Sequence, residues 1–427
     1  MVKFFGGIMK TIKLSCAHAL FKYLIAQKTI IDGKKAPLFP GAFAIYGHGN
    51  VACLGQAMEE FQSDLPGYRG HHEQNMALSG IGYARAMRRK QIFIATSSVG
   101  PGSTNMVTAA AVALSNRLPI LLLPGDTFAN RFPDPVLQQV ENFYSPTDTQ
   151  NNAFKSVSKY FDRITRPEQI LSSLPQAIQV MLDPADCGPA IISLSQDVQG
   201  EAFDYPEVFF EEKIHEIRRI HPDPRQIERA AEQIKKSKQP IIISGGGVLY
   251  SEAEKELSKF AKKHNIPVTA TVMGIGCMNK DNPYYISAIG CLGEGSSNNL
   301  ATDTDLALAV GTKLGDFTTG SWTNFENENL VYEKLFTTSK TTIVILLGIG
   351  LAGLFLRLYH FPYDIPVSLD AGGYFWYAND LSLFRQFPEH SLSTNNAWPT
   401  FLSFFFSIFH FDNALDYMSL QRYLSVG

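Results

Sequence analysis

Four times within the first two hundred residues a short apolar run ends in a small polar loop, and helical patterns fill the spaces between. Ala42-Phe43-Ala44-Ile45-Tyr46 leads into Gly47-His48-Gly49-Asn50, and Gln91 to Thr96 leads into Ser97-Ser98-Val99-Gly100-Pro101-Gly102-Ser103-Thr104-Asn105 ahead of a helix over Met106 to Ser115. Pro119 to Pro124 ends in Gly125-Asp126-Thr127, and Pro189 to Leu194 ends in Ser195-Gln196-Asp197. Strands alternating with helices predict an α/β fold with a mostly parallel sheet whose loops gather along one edge. Open sheets of this kind bind ligands at the carboxyl ends of their strands. His48, Asn50, Ser98 and Gly100 are candidates for contact with a bound molecule on that ground, and glycines such as Gly47 give these loops unusual backbone freedom.

The chain before the first of these strands reads as an amphipathic helix, Met9 to Gln27, and a basic turn at Asp32-Gly33-Lys34-Lys35. After the last, a charged, proline-containing connector from about Phe203 to Pro224 leads to a second α/β region. There Arg225 to Lys236 is helical, Pro240 to Ser244 is a strand entering Gly245-Gly246-Gly247, and Ser251 to Glu254 has capping-box spacing before a helix ending near His264-Asn265. Ile266 to Thr271 and Leu306 to Val310 supply further strands. The expected organisation is two doubly wound parallel-sheet domains, 1–210 and 211–330. The triple glycine lacks the spacing and acidic ribose ligand of a dinucleotide loop, so no NAD site is expected.

A net charge of -3 over 427 residues, without a basic stripe, argues against a nucleic-acid partner. Five scattered cysteines with no C-x-x-C pair fit a reducing compartment and no zinc. No secretory signal is read at the start, so a cytoplasmic location is expected for 1–330.

His71-His72-Glu73-Gln74-Asn75, followed by Gly80-Ile81-Gly82-Tyr83-Ala84-Arg85, sets a carboxylate at the start of a helix. The small residues Ala77, Gly80, Gly82, Ala84 and Ala86 predict close packing and a Glu73 held in a tight, largely dry interface, where it stays ionised only against a partner that shares a proton with it. The plainer alternative is an acidic residue placed near a helix dipole. This pattern resembles the pyrimidine-binding domain of thiamine-diphosphate enzymes. Asn116-Arg117-Leu118-Pro119, Pro133-Asp134-Pro135-Val136-Leu137-Gln138-Gln139 and Asp316-Phe317-Thr318-Thr319-Gly320-Ser321-Trp322 extend the likeness from about Gly41 to Leu330 and narrow it to the branch that hydrolyses an inositol-derived cyclic dione.

The resemblance implies thiamine diphosphate as cofactor, with Glu73 on a nitrogen of its pyrimidine ring. It implies cleavage of a C–C bond of the dione to 5-deoxy-glucuronate, in a homodimer or homotetramer. By the same token Glu73 and His48 are catalytic candidates, and Gly47, Asn50, Ser98, Gly100 and Gln139 lie near cofactor or substrate. An acetolactate-synthase-like decarboxylating enzyme is the runner-up. Members of the family hold Mg²⁺ through a Gly-Asp-Gly segment and a following Asn in a third domain. No such segment is read after Leu330, so weak cofactor binding and little turnover are expected of this chain alone.

Composition changes at Val331. Thr341 to Leu356 is uncharged and apolar, and predicts a membrane helix over about 341–358 with Arg357 snorkelling, or else a buried helix. Ser368 to Ala378 resembles the first outer loop of multi-span glycosyltransferases, with Asp370 as its acidic residue, and Trp398 to Phe411 begins a second hydrophobic segment. A fusion near Leu330, or a membrane-tethered subunit without catalysis, stands beside the enzyme reading.

Overall fold

The computed structural model describes residues 10–325 apart from 141 and 220, together with 3–4, 7–8, 330 and 406. The chain divides into two units, Met1–Tyr332 and Glu333–Gly427, and the described residues other than Phe406 belong to the first. The expected helix at 341–358, the Ser368 to Ala378 loop with Asp370, and Trp398 to Phe411 apart from Phe406 lie outside the described residues. Among the described residues no helix is long and apolar enough to cross a membrane.

Six parallel strands form the first sheet. Their spatial order is Tyr160–Ile164, Ala190–Ser195, Leu121–Asp126, Ile94–Ser97, Ala42–Ala44, Gly67–Arg69. Leu121, Leu122 and Leu123 are all fully buried. Successive strand residues point to opposite faces. Accordingly Leu121 and Leu123 join one core with Leu20, Leu24 and Ile192, while Leu122 joins another with Ala95, Ala109 and Ile191. Three leucines in a row suit a strand covered on both faces, each contributing about 1.5–3 kcal/mol on burial.

The helix Glu73–Ala86 begins at the carboxylate, as the sequence predicts, with His72 extended before it. Its small residues are divided between two faces. Ala77, Gly80 and Ala84 are buried against the sheet, where a Cβ on Gly80 would come 3.0 Å from Phe93 Cβ. Gly82 and Ala86 are exposed, and space around Gly82 is open to 4 Å. At about 100° per residue, positions 77, 80, 81 and 84 share a stripe and 82 and 86 do not.

The amino-terminal helix is shorter than expected. Thr11–Ser15 is a strand, paired antiparallel with Ala202–Pro206, and the helix runs Cys16–Ala26 with the Ser15 hydroxyl accepting from His18 N at 3.3 Å. Thr-Ile-Lys-Leu-Ser alternates polar and apolar, and its strand partner lies far along the chain, invisible to a helical window. The connector is shorter too: Lys213–His215 pairs with Gln27–Ile31, so much of Phe203 to Pro224 belongs to sheets flanking the first domain.

The second sheet is also all parallel, in the order Tyr285–Ala288, Val268–Ala270, Pro240–Ser244, Leu306–Val310. The expected capping box is not formed. Ser251 ends the helix Gly246–Tyr250, Glu252 turns with φ 54°, and Ala253 starts Glu254–His264 without a side-chain cap.

Candidate active site

The loops after Ala42–Ala44, Ile94–Ser97, Leu121–Asp126 and Ala190–Ser195 meet at the carboxyl edge of the six-stranded sheet because every strand is parallel. The first two touch directly. Gly47 has φ 52°, and a Cβ there would fall 2.3 Å from Ser98 Oγ; a Cβ on Gly49 would fall 2.6 Å from Val99 Cγ2. Glycine at 47 is thus what lets the His48 turn lie on the Ser98 turn.

Asn50 sits beneath that contact, fully buried, and its side chain is a strut. It donates to Thr96 Oγ1 at 2.8 Å and to the Ser97 carbonyl at 2.6 Å, and accepts from Gln199 Nε2 at 2.9 Å. Gly100, at φ 68°, supports a different approach: a Cβ there would lie 1.9 Å from the Gln138 carbonyl oxygen. The strap after Leu121–Asp126 therefore rests on the Gly100 turn. Gln139 turns back onto that strap, its Oε1 accepting from Val136 N at 2.9 Å.

Glu73 reaches the same turn from its helix. Its Oε2 accepts from Asn105 Nδ2 at 3.0 Å, and its Oε1 would stand 3.3 Å from a Cβ on Gly102, whose other neighbour is Ser98 Cβ at 3.4 Å. Glu73, Ser98 and Gly102 are thus adjacent. The Glu73 side chain is half-buried within the chain.

Several polar atoms around this edge are buried without a hydrogen-bond partner among the described residues: His48 Nε2, Ser98 Oγ, Gln196 Nε2 and both side-chain polar atoms of Gln150. Each such atom costs about 1–3 kcal/mol unless something binds it. Gln150 opens the turn Gln150–Val157, which packs on Pro101–Thr104.

Two carboxylates anchor the strap. Asp126, fully buried, accepts from Arg163 Nε at 2.7 Å, Ser193 Oγ at 2.6 Å and Thr127 N at 2.8 Å. Arg163 in turn donates to the Thr147 carbonyl at 2.7 Å and to Thr149 Oγ1, fixing the far end of the strap. Asp197 accepts from Ala129 N at 2.8 Å and Asn130 N at 3.1 Å, fixing the near end. Sequence reasoning gave none of Asp126, Arg163, Asp197, Gln150 or Gln196 a role, although Asp126, Gln196 and Asp197 stood in strand-end loops it had marked.

The residues present fit the pyrimidine end of thiamine diphosphate: Glu73 offers an oxygen over a glycine floor, beside an orphaned hydroxyl. For Mg²⁺ the described residues offer no group of three or more His, Cys, Asp or Glu side chains that could hold an ion.

Residues 41–145 match the thiamine pyrophosphate enzyme N-terminal TPP binding domain, and residues 227–333 match the thiamine pyrophosphate enzyme central domain. The chain carries two thiamine pyrophosphate enzyme domains. It is 49% identical over 324 residues to the 3D-(3,5/4)-trihydroxycyclohexane-1,2-dione hydrolase of Clostridium tetani (strain Massachusetts / E88), which covers 76% of this chain and 50% of the relative. The protein of the same name from Bacillus cereus (strain AH820) is 46% identical over the same length and shares. The chain spans about half the length of the curated relatives it matches. Glu73, His48, Asn50, Ser98, Gly100 and Gln139 all fall within the N-terminal TPP binding domain, whereas the Asp126–Arg163 pair reaches beyond its matched boundary.

Proposed function

We propose that this chain supplies the pyrimidine-binding and central domains of a thiamine-diphosphate-dependent hydrolase that opens the ring of 3D-(3,5/4)-trihydroxycyclohexane-1,2-dione to 5-deoxy-glucuronate. The placement of Glu73 is the main support: within a region 46–49% identical to hydrolases of that name, it presents one carboxylate oxygen to Asn105 and the other over Gly102. When bound, thiamine diphosphate supplies an electron sink for cleaving a C–C bond beside a carbonyl. Glu73 would hold a ring nitrogen of the pyrimidine, with Asn105 fixing the carboxylate's orientation. Ser98 Oγ and His48 Nε2, unpartnered at the same edge, suit the hydroxyl and carbonyl oxygens of a polyhydroxylated ring. Asn50, Gly47 and Gly100 act by position, keeping the two turns and the strap together.

The strap also bears on assembly. Phe132 is 94% exposed and Phe143 82% exposed, with Leu137 and Tyr144 open beside them. Apolar side chains so exposed, on the strap that rests on the Gly100 turn, favour a homodimer or homotetramer in which another surface covers them.

Glu73→Gln tests the reading in enzyme assembled with a diphosphate-binding domain. Dione consumption and exchange of the cofactor's acidic carbon-bound proton, followed by NMR, should each fall by about 10²-fold or more. Proton exchange at the parent rate would sink the assignment of Glu73. Consumption of pyruvate with release of carbon dioxide, in place of dione hydrolysis, would move the chain to acetolactate-synthase-like chemistry.

A further inference from the structure

The helix that begins with Glu73 is followed, after Met87, by three successive cations, and their surroundings are not balanced. Arg88 and Arg89 both turn in the left-handed region, at φ 53° and 66°, where Gly or Asn is usual. The turn sends the side chains onto the central domain. Arg88 pairs with Glu254 at 2.6 Å, and Lys90 shares Glu252 with Arg219. Arg89 has no such partner among the described residues. It is only 9% exposed, its guanidinium lies 3.8 Å from the centre of the Tyr250 ring, and its buried Nε lacks a hydrogen-bond acceptor. Stacking on an aromatic face satisfies the charge in part and leaves the buried Nε–H without an acceptor.

Arg89 forms one wall of a cavity of about 460 Å³ between the two domains, of a size that takes a small ligand. The opposite walls are the turn Met181 to Ala185 and the crossing segment His215 to Arg219. Of the three carboxylates that line it, Glu252 already serves two cations, Asp183 Oδ1 accepts the amides of Ala185 and Asp186 at 2.8 and 2.6 Å, and Glu216 is exposed, with neither Arg89 nor Arg218 within ion-pair distance of it. Arg218, exposed on the crossing segment, has no carboxylate within ion-pair distance among the described residues. Five basic side chains, Arg88, Arg89, Lys90, Arg218 and Arg219, thus line the cavity against three carboxylates, and two of the guanidinium groups, those of Arg89 and Arg218, have no ion-pair partner among the described residues. A neutral ligand would leave both unmatched, and a cation would be repelled. A phosphate group offers several oxygens to two planar donor forks and carries the charge to match them.

We propose that this cavity is a binding site for a phosphate group, free or as a small monoester, held between Arg89 and Arg218 at the seam of the two domains. The site is separate from the one at Glu73: the two stand at opposite ends of a 14-residue helix, about 20 Å apart. Bound phosphate would draw the crossing segment and the Arg88–Lys90 turn onto a common counter-charge and so fasten one domain to the other. The proposal does not depend on which reaction the chain serves.

Inorganic phosphate titrated into the full chain by isothermal calorimetry, at constant ionic strength and without thiamine diphosphate, tests it. A single saturable site is expected. Arg218→Ala should weaken it about tenfold or more, as should Arg89→Lys, which keeps the charge and loses the fork. Lys313→Ala changes a residue that lines the neighbouring cavity and not this one, and should bind as the parent does. Glycerol 3-phosphate run in parallel separates the two sources, since tighter binding than phosphate marks a monoester site and equal or weaker binding marks a site for the free ion. Absence of saturable heat, or affinity unchanged in Arg218→Ala, overturns the proposal. Loss of binding in Lys313→Ala alone overturns it too, by moving the ligand to the other cavity. Arg218 lies on an exposed segment, so its variant keeps the test decisive where Arg89→Lys fails to fold.

Discussion

The same substitution, Gly→Ala, should act in opposite directions at two positions that bracket the candidate active site. Gly100 has φ 68° and ψ -126°, outside the left-handed well that other residues tolerate. Holding a Cβ there costs of order 1–3 kcal/mol. The added carbon would also lie 1.9 Å from the Gln138 carbonyl oxygen, a backbone atom that cannot swing aside, and relieving such overpacking costs about 1–3 kcal/mol more. Gly100→Ala should therefore destabilise the local structure by about 2–6 kcal/mol, lifting the strap from the turn. Gly82 is exposed on the helix Glu73–Ala86 with nothing within 4 Å of an added Cβ, and Gly82→Ala should stabilise that helix by about 0.5–1 kcal/mol. Hydrogen exchange resolved by mass spectrometry reads both effects locally. Peptides covering 98–105 and 128–149 should exchange faster in Gly100→Ala, and the peptide covering 73–86 more slowly in Gly82→Ala. Parent-like protection of the strap in Gly100→Ala would refute the contact on which the account of the loops rests.

Asp126→Ala leaves the Arg163 guanidinium without its buried counter-charge and should cost about 3–5 kcal/mol; an unchanged urea midpoint would show that the pair does not anchor the strap. Burial, with Lys213 adding to it, pushes His215 down to about 4 from 6.5. The unfolded chain therefore takes up a proton near 6.5 that the folded chain refuses until about 4, so stability is complete above about 6.5 and falls as the pH drops through that window. His215→Gln should flatten the fall, and an unaltered melting profile between those limits would contradict the burial of a neutral ring. Cys16 and Cys187 are buried, their thiols pushed up to about 12 and about 11 by desolvation, whereas Cys291 is exposed. Iodoacetamide at about pH 8 should label Cys291 in the native chain and reach Cys16 and Cys187 only after unfolding, as peptide mapping would reveal.

Much of the architecture was legible because its signals are local. Leu121-Leu122-Leu123 and Ile241-Ile242-Ile243 are runs that suit a strand buried on both faces, and both lie within strands. Tyr160–Ile164 and Tyr285–Ala288 went unread because none of the former's first four residues, and none of the latter's, is fully buried, so their polar content resembles a loop. Ile170–Met181 was obscured by Pro175, which lies inside the helix. Thr11–Ser15 was misread because a strand whose partner is Ala202–Pro206 carries no trace of that partner in its own neighbourhood.

The site divides along the same line. Glu73 at a helix start and the turns at His48 and Ser98 follow from local pattern and the strand-end rule. The Asp126–Arg163 pair depends instead on the interleaved strand order, which sets Leu121–Asp126 beside Ala190–Ser195 and brings Ser193 and Arg163 to one carboxylate. No window of sequence contains that order. In this chain Glu73 is half-buried; a tight, dry interface there needs a second surface, and a count of five small residues does not assign them to faces. Ala77, Gly80 and Ala84 close the helix onto the sheet, while Gly82 and Ala86 leave the other side open. Small residues on an outward face remove steric obstacles to a second surface without supplying one. The exposed Phe132, Phe143 and Tyr144 of the strap leave apolar area uncovered by this unit, which a second surface laid on it would remove from water.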